Sequence, residues 1–257
     1  FDVVEIPIQK PVNGGADEDS VILAGHDSQF KMIARSDTME PISVMSKDYR
    51  LITNRELLEA ALPLIDQYGG VVPSPNNRAD IEINRVFGNA RSQFAFDFPH
   101  VEVMVGKDVV HPRITMVNSY DGTKRVGFKY GAYRLVCSNG LTIGSYSAET
   151  YMHIGKNTPL NDLESIIRNV FNNMESTIGQ GFAPMLEKTI GVVKINKFVD
   201  IFPKQFRADV LGQLKDNNAW SVYNAGTFVT SHLMDRSNES THILEREIYK
   251  FVMANAA

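Results

Sequence analysis

The stretch DGTKRVGFKYGAYRLVCSNGL, Asp121 to Leu141, reads as the turn and returning strand of a β-hairpin, and its reading governs that of its neighbours. Asp121-Gly122 is a hairpin signal, because a two-residue type I′ turn needs positive φ at both central positions, which these residues tolerate. Side chains alternate along a strand, so Val126, Phe128, Tyr130 and Ala132 share one face, and Arg125, Gly127, Lys129, Gly131 and Tyr133 share the other. The first set suits a core. The second interleaves long cations with glycines and ends on a tyrosine. A glycine inside a strand lacks a packing side chain and marks a bulge or a place where another chain approaches the backbone. A trough of bare backbone edged by Lys124, Arg125, Lys129 and Arg134, with Tyr133 as a stacking ring, has the pattern of a single-strand nucleic-acid surface. On such a surface charge follows the phosphates and rings hold bases without reading them. A solvated, twisted hairpin accounts for the same pattern.

Outward from this hairpin, Val71 to Ile143 breaks into short alternating runs, ADIEINRVFG, SQFAFDF, HVEVMVG and RITMVNSY, each closed by turn residues; this predicts an antiparallel meander. Upstream, VVEIPIQKPVNGGADEDS reads as an edge strand entering a mobile loop, and PISVMSKDYRLITN as a further strand. TNRELLEAALPLIDQYGG predicts a helix. Thr53 and Glu56 have capping-box spacing, Leu57, Leu58, Ala61, Leu62 and Ile65 share a face, Pro63 kinks the helix and Gly69-Gly70 ends it. Downstream the period becomes helical. NDLESIIRNVFNNMESTIG sets Leu163, Ile166, Ile167, Val170, Phe171, Met174 and Ile178 on one stripe with Gly179 as a stop. PKQFRADVLGQLKD repeats at Phe206, Val210 and Leu214, and AWSVYNAGTFVTSHL and ESTHILEREIYKFVM follow. Strands grouped before helices predict an α+β fold, a curved antiparallel β-meander packed against helices with a helical C-terminal part. One domain over 1–257 is expected, divided into N-terminal strands and helix (1–70), the meander (71–145) and the helical part (158–257).

The 257 residues, 43% hydrophobic and 22% charged, suffice to bury a sizeable core. No apolar run approaches the roughly 18–20 residues that span a bilayer, and the front shows no signal segment, so a cytoplasmic protein without a membrane partner is expected. One cysteine, Cys137, excludes an intrachain disulfide and any multi-Cys zinc site. The net charge of −4 argues against coating nucleic acid by bulk positive charge. Its distribution is uneven. Between His111 and Gly140, Arg113, Lys124, Arg125, Lys129 and Arg134 stand against one acid, Asp121, whereas the first twenty residues hold Asp2, Glu5, Asp17, Glu18 and Asp19 against Lys10. EKTIGVVKINKFVDIFPKQFR forms a second basic segment through Lys188, Lys194, Lys197, Lys204 and Arg207.

Catalytic readings find less support. Cys137 has Arg134 nearby to lower a thiol pKa, but no protease or redox signature surrounds it, and it reads as a small core residue. The histidines, His26, His100, His111, His153, His232 and His242, show neither H-E-x-x-H nor paired His/Cys spacing. Asp80 and Glu82 point to one side of a strand, with Asp97 and Glu102 on the next two; such carboxylates can hold Mg²⁺, and acids on a wet sheet face look the same. There is no G-x-x-x-x-G-K-[ST] loop. Neither a catalytic residue, a metal nor a cofactor is expected. Trp220, Tyr223 and Asn224 share a helix face, which reads as a lock between helix and sheet, the Asn amide satisfied by His232 or a backbone carbonyl.

SVMSKDYRLITNRELLEAA near the front, RLVCSNGL at Arg134–Leu141 and WSVYNAGTFVTSH at Trp220–His232 resemble, in the same order, segments of the phage- and plasmid-related family catalogued as domain of unknown function 932. That resemblance implies a mobile-element origin. The chain is further similar to phage single-strand annealing recombinases, which use a sheet with helices, form rings or filaments, and hold single-stranded DNA in a basic groove without nucleotide hydrolysis. The meander, the Gly-cation hairpin and the missing P-loop agree with this; the acidic total charge departs from it. The expectation is a single-stranded DNA-binding and annealing protein acting in recombination as a homo-oligomer. Its rivals are a Mg-dependent nuclease built on Asp80 and Glu82, and a phage accessory protein that binds a host protein.

Overall fold

Alternating segments at the front of the chain assemble into two antiparallel sheets. A computed structural model describes residues 2–11, 25–72, 82–84, 90–124, 126–133, 140–142, 160–235 and 238–256. Strands β1 (Val3–Pro11), β2 (Gly25–Arg35) and β3 (Pro41–Ser46) form a three-stranded sheet in that order. β1 is one of its edges, as its sequence suggests. The second sheet has six strands: β4 (Glu82–Asn84), β5 (Arg91–Asp97), β6 (Val103–Val105), β7 (Asp108–Ser119), β8 (Gly127–Tyr133) and β9 (Gly140–Thr142). They run in the order β4-β5-β7-β8-β9, while β6 pairs with the start of β7. Gly106, at φ +65°, supplies the positive φ that the tight β6–β7 turn requires. With seven helices described beside these sheets, the fold is α+β and the C-terminal part is helical.

Register decides which side of the six-stranded sheet is core. Phe94 and Phe96 on β5, Met116 and Ile114 on β7, and Phe128, Tyr130 and Ala132 on β8 pair across the strands on one face, and all are buried. Helix α1 (Asn54–Gln67) packs there with Leu57, Ala61, Leu64 and Ile65. Its start is fixed locally. Thr53 Oγ1 accepts from the Glu56 N–H at 3.1 Å and Glu56 Oε2 accepts from the Thr53 N–H at 2.7 Å, the expected capping box. The helix continues through Pro63, and Leu62 is 45% exposed rather than part of the apolar face.

The long stripe downstream gives two helices instead of one. α2 (Leu160–Asn172) and α3 (Met174–Phe182) are separated at Asn173, whose side chain donates to the Asn169 carbonyl at 2.8 Å. An asparagine that bonds its own backbone competes with the helical ladder. Gly179 lies inside α3, and the 3-10 turn at Ala183–Met185 follows its end. Ile167, Val170, Phe171, Met174 and Ile178 are buried as the stripe predicts. Tyr130 donates its hydroxyl to the Val170 carbonyl at 2.8 Å, and Phe98 meets Phe171 edge-on at 5.5 Å. α4 (Val192–Val199), which the sequence did not signal, precedes α5 (Arg207–Gln213), α6 (Ala219–His232) and α7 (Asn238–Asn255). Among the described residues no helix is long and apolar enough to cross a membrane.

A second, smaller core lies under the three-stranded sheet. Val3 and Ile33 pack on Tyr120, with Ile42, Met45 and Leu51 beside them. Tyr120 belongs to the β7–β8 connection, so the N-terminal sheet sits on the far end of the hairpin.

Candidate nucleic-acid interface

The outer face of the six-stranded sheet carries the polar half of the alternation. Gly127, Lys129 and Gly131 on β8 stand opposite Val117, Thr115 and Arg113 on β7, which in turn stand opposite Gln93, Ala95 and Asp97 on β5. Small side chains make the floor between long ones: Ala95 and Thr115 are buried. Lys129 is half-buried and does not project. Its Nζ donates to Gln93 Oε1 at 3.3 Å, so the stem lies across β7.

One row further along, charge is paired. Arg113 donates from both Nε and Nη2 to the Asp97 carboxylate, the latter bond 2.7 Å long, with side-chain exposures of 13% and 5%. The guanidinium lies 5.4 Å from the centre of the Tyr133 ring, and the His111 ring lies 5.5 Å from it on the same strand pair. His111 Nδ1 is 3.1 Å from the Val101 carbonyl oxygen. Tyr133 is therefore 6% exposed. The open stacking ring foreseen at this position is instead a packed one, because Arg113 and His111 take its surroundings.

The β7–β8 connection also differs from a two-residue hairpin. Gly122 has φ +70°, but Asp121 does not share the positive φ that a type I′ turn demands. The Asp121 carboxylate accepts the Thr123 N–H at 3.0 Å and pairs with Arg91 at 3.8 Å; Arg91 Nε donates to Thr123 Oγ1 at 2.8 Å. Ser119 Oγ donates to the Lys124 carbonyl and accepts its N–H. The three-stranded sheet closes over this wide turn. Ser43 Oγ donates to the Tyr120 carbonyl, and Met45 Cε lies 2.9 Å from where a Cβ on Gly122 would stand. Lys124 remains exposed at the edge of this junction.

Of the five expected contact residues, the structure thus brings Lys129 and Tyr133 onto one face and puts Lys124 at its end. Arg125 and Arg134 lie outside the described residues, as do Cys137 and Asp80; Glu82 is described only through its backbone on β4. Asp97, one of the carboxylates considered for Mg²⁺, is occupied by Arg113. The sequence named Arg113 and Asp97 singly but not as a pair, since only the β5–β7 register joins them. Arg91 and Gln93 were missed; their placement six and four residues before Asp97, on the same face of an alternating strand, was the available signal.

Burial raises four phenols. Desolvation pushes Tyr133 up to about 12, Asp97 adding to the effect and Arg113 opposing it. It also raises Tyr49, Tyr120 and Tyr249. A raised tyrosine pKa favours the neutral form in the fold. Its stabilising share is whole below about pH 10, where unfolded tyrosine ionises, and is lost as pH climbs through that value toward about 12. Alkaline titration is expected to show phenolate absorbance from these four of the nine tyrosines only together with loss of structure. Reversible titration of all nine near pH 10 in a folded chain would contradict these burials.

Residues 41–213, from β3 to the end of α5, match the family model described as Domain of unknown function (DUF932). The stretches at 43–61 and 134–141 fall within that match, while Trp220–His232 lies beyond it. No curated protein and no solved structure matches the chain, and similarity to annealing recombinases is not shown by these comparisons.

Proposed function

The chain belongs to the family of domain of unknown function 932, and from this premise and its own outer sheet face we infer that it binds single-stranded DNA and promotes strand annealing in phage- or plasmid-type recombination. The observation that carries this reading is the run Gly127–Lys129–Gly131 on the outer face of β8, a cation set between two residues without side chains and flanked by Thr115 and Ala95. Gly127 is buried, but a phosphodiester chain can approach the half-buried backbone of Gly131 there, with Lys129 supplying the neighbouring cation. Lys124 extends the cationic path at one end, and Arg125 and Arg134 adjoin β8 in sequence. Arg113, held by Asp97, supports the floor and is not a phosphate ligand in this reading. Annealing requires phosphate charge to be neutralised while base edges stay free to pair, so a face with cations and few open rings suits it better than a stacking cleft. The protein would act without nucleotide hydrolysis, in the cytoplasm of the host cell, and as an assembly of copies.

Fluorescence anisotropy with a labelled oligothymidine over a salt series tests this. Affinity is expected to fall steeply with salt, and Lys124→Ala with Lys129→Ala to flatten the log–log slope by about 0.7 per lost phosphate contact. Absent binding, or a slope unmoved by the double substitution, would dismiss the reading. A strand-annealing assay with complementary oligonucleotides then separates annealing from simple coating.

A further inference from the structure

Two exposed apolar features have no part in folding the chain that displays them. The first is Met39, in the turn between β2 and β3. Its φ is +58°, a left-handed conformation that Gly or Asn adopts far more easily, and the residue is 55% exposed. Met39 N–H donates to the Arg35 carbonyl and the Arg35 N–H to the Glu40 carbonyl, so the turn holds the residue outward. Asp37, paired with Arg35, and Glu40 flank it, both exposed. A methionine kept where glycine would suit the backbone better is kept for its side chain, and strained positions of this kind gather at contact sites.

The second is the first turn of α4. Val192 and Val193 are 71% and 70% exposed, although β-branched residues are mediocre helix formers and these two bury little. Lys188, Lys194 and Lys197 lie within five residues of them in the chain. From Glu187 to Lys215 there are six cations against three acids, in a chain whose net charge is −4. No ion pair engages Lys194 or Lys197 among the described residues. Leu211 on α5, 49% exposed, adds apolar surface on the helix that packs beside α4.

The elements that carry the two features are anchored at opposite ends of β7. The three-stranded sheet rests on Tyr120, just past the end of β7. The segment leading into α4 is stitched to the beginning of α6 by Ala219 N–H to the Lys188 carbonyl and Ile190 N–H to the Asn217 carbonyl, and Trp220 then bonds Asp108 at the start of β7. A strand of twelve residues separates those ends by about 35 Å. One copy therefore cannot close the contact on itself.

We propose that Met39 with Glu40 and Asp37 on one copy docks onto Val192, Val193 and the lysines of α4 on the next, making a head-to-tail interface. With Asp37 already paired to Arg35, an apolar knob beside the Glu40 carboxylate meets an apolar pair beside ammonium groups, so both hydrophobic and charge complementarity are met by a second copy of the chain. Because the two surfaces differ, the contact is heterologous and generates a ring or an open filament rather than a two-fold dimer.

Sedimentation velocity on nucleic-acid-free protein over a concentration series tests it, and its outcome is independent of whether DNA binds. The wild-type chain is expected to grow beyond the dimer as concentration rises. Lys194→Glu with Lys197→Glu should raise the concentration needed for half-association by about tenfold or more, through like-charge contact with Glu40. Adding Glu40→Lys to that chain should restore association. Met39→Gly should abolish association while leaving the thermal midpoint unchanged or higher, which separates a lost contact from a lost fold. A monomer at every attainable concentration, association that stops at a dimer, or self-association unmoved by these substitutions would overturn the proposal.

Discussion

Asp97→Ala is expected to cost about 3–5 kcal/mol of stability, because it leaves a guanidinium that is 13% exposed without its carboxylate. In a chain of this size that loss lowers the thermal midpoint by roughly 10 °C. The bidentate geometry is what makes the deletion costly: both Nε and Nη2 of Arg113 lose their acceptor, and the low-dielectric surroundings that strengthen the pair also magnify the penalty of breaking it. The pair itself need not be a large net stabiliser. Its carboxylate and guanidinium both gave up hydration to meet, so the double replacement Asp97→Leu with Arg113→Met is expected to stay within about 1–2 kcal/mol of the wild-type chain. Denaturant melts of the wild-type chain, Asp97→Leu, Arg113→Met and the double variant form a cycle in which the double loss should fall well short of the sum of the two single losses. A near-zero loss in Asp97→Ala would mean that Asp97 acts only through its backbone pairing with Val71, which a side-chain change does not remove. The sheet face that carries Lys129 and Tyr133 depends on this pair, since Arg113 lies against the Tyr133 ring.

What the sequence disclosed and what it hid divide by range. The capping box at Thr53 and Glu56 was legible because its partners are three residues apart and the hydrogen bonds follow from that spacing. The alternation of β8 was legible for the same reason, and Val126, Phe128, Tyr130 and Ala132 are buried as it requires. The type I′ reading of Asp121-Gly122 failed because the turn is shaped by what lies on it. Ser43 and Met45 of β3 reach the connection from far upstream, and the chain widens to receive them. The break at Asn173 was invisible to periodicity, since the apolar stripe runs unbroken from α2 into α3. α4 went unnoticed because it is only eight residues long and two of its five apolar residues, Val192 and Val193, face outward. At the candidate interface, the face assignment of Lys129 was local and held. The burial of Tyr133 was not local: it depends on Arg113 and His111, which only the β7–β8 register brings to that ring.

Trp220→Ala is the other substitution of large expected effect, about 3–5 kcal/mol. The indole does two things at once. Its ring lies 5.2 Å from Phe182 and 5.9 Å from Tyr223, inside the core that α3 and α6 share, and its Nε1–H donates to Asp108 Oδ2 at 2.7 Å, tying α6 to the first residue of β7. That bond is the helix-to-sheet lock anticipated from the Trp220, Tyr223 and Asn224 face, and Asn224 donates to a backbone carbonyl, that of Trp220, at 2.7 Å, one of the two partners expected for it. Trp220→Phe keeps most of the ring contact and removes only the charge-assisted hydrogen bond, so it should cost about 1.5–3 kcal/mol. The ordering matters more than either value, because a lock made by packing alone would leave Trp220→Phe near neutral, and a lock made by the hydrogen bond alone would make the two substitutions equal. The consequence reaches the surface. Asn218, which caps α6 by accepting the Trp220 N–H, also donates to the Leu186 carbonyl at 2.9 Å, and Ala219 N–H holds the Lys188 carbonyl. Loosening Trp220 thus loosens the segment from which Val192 and Val193 project. Hydrogen exchange on the folded Trp220→Phe chain is expected to speed up at Ile190 and Ala219 before the amides of β7 and β8 respond, and unchanged protection at those two positions would show that α4 is seated independently of the lock.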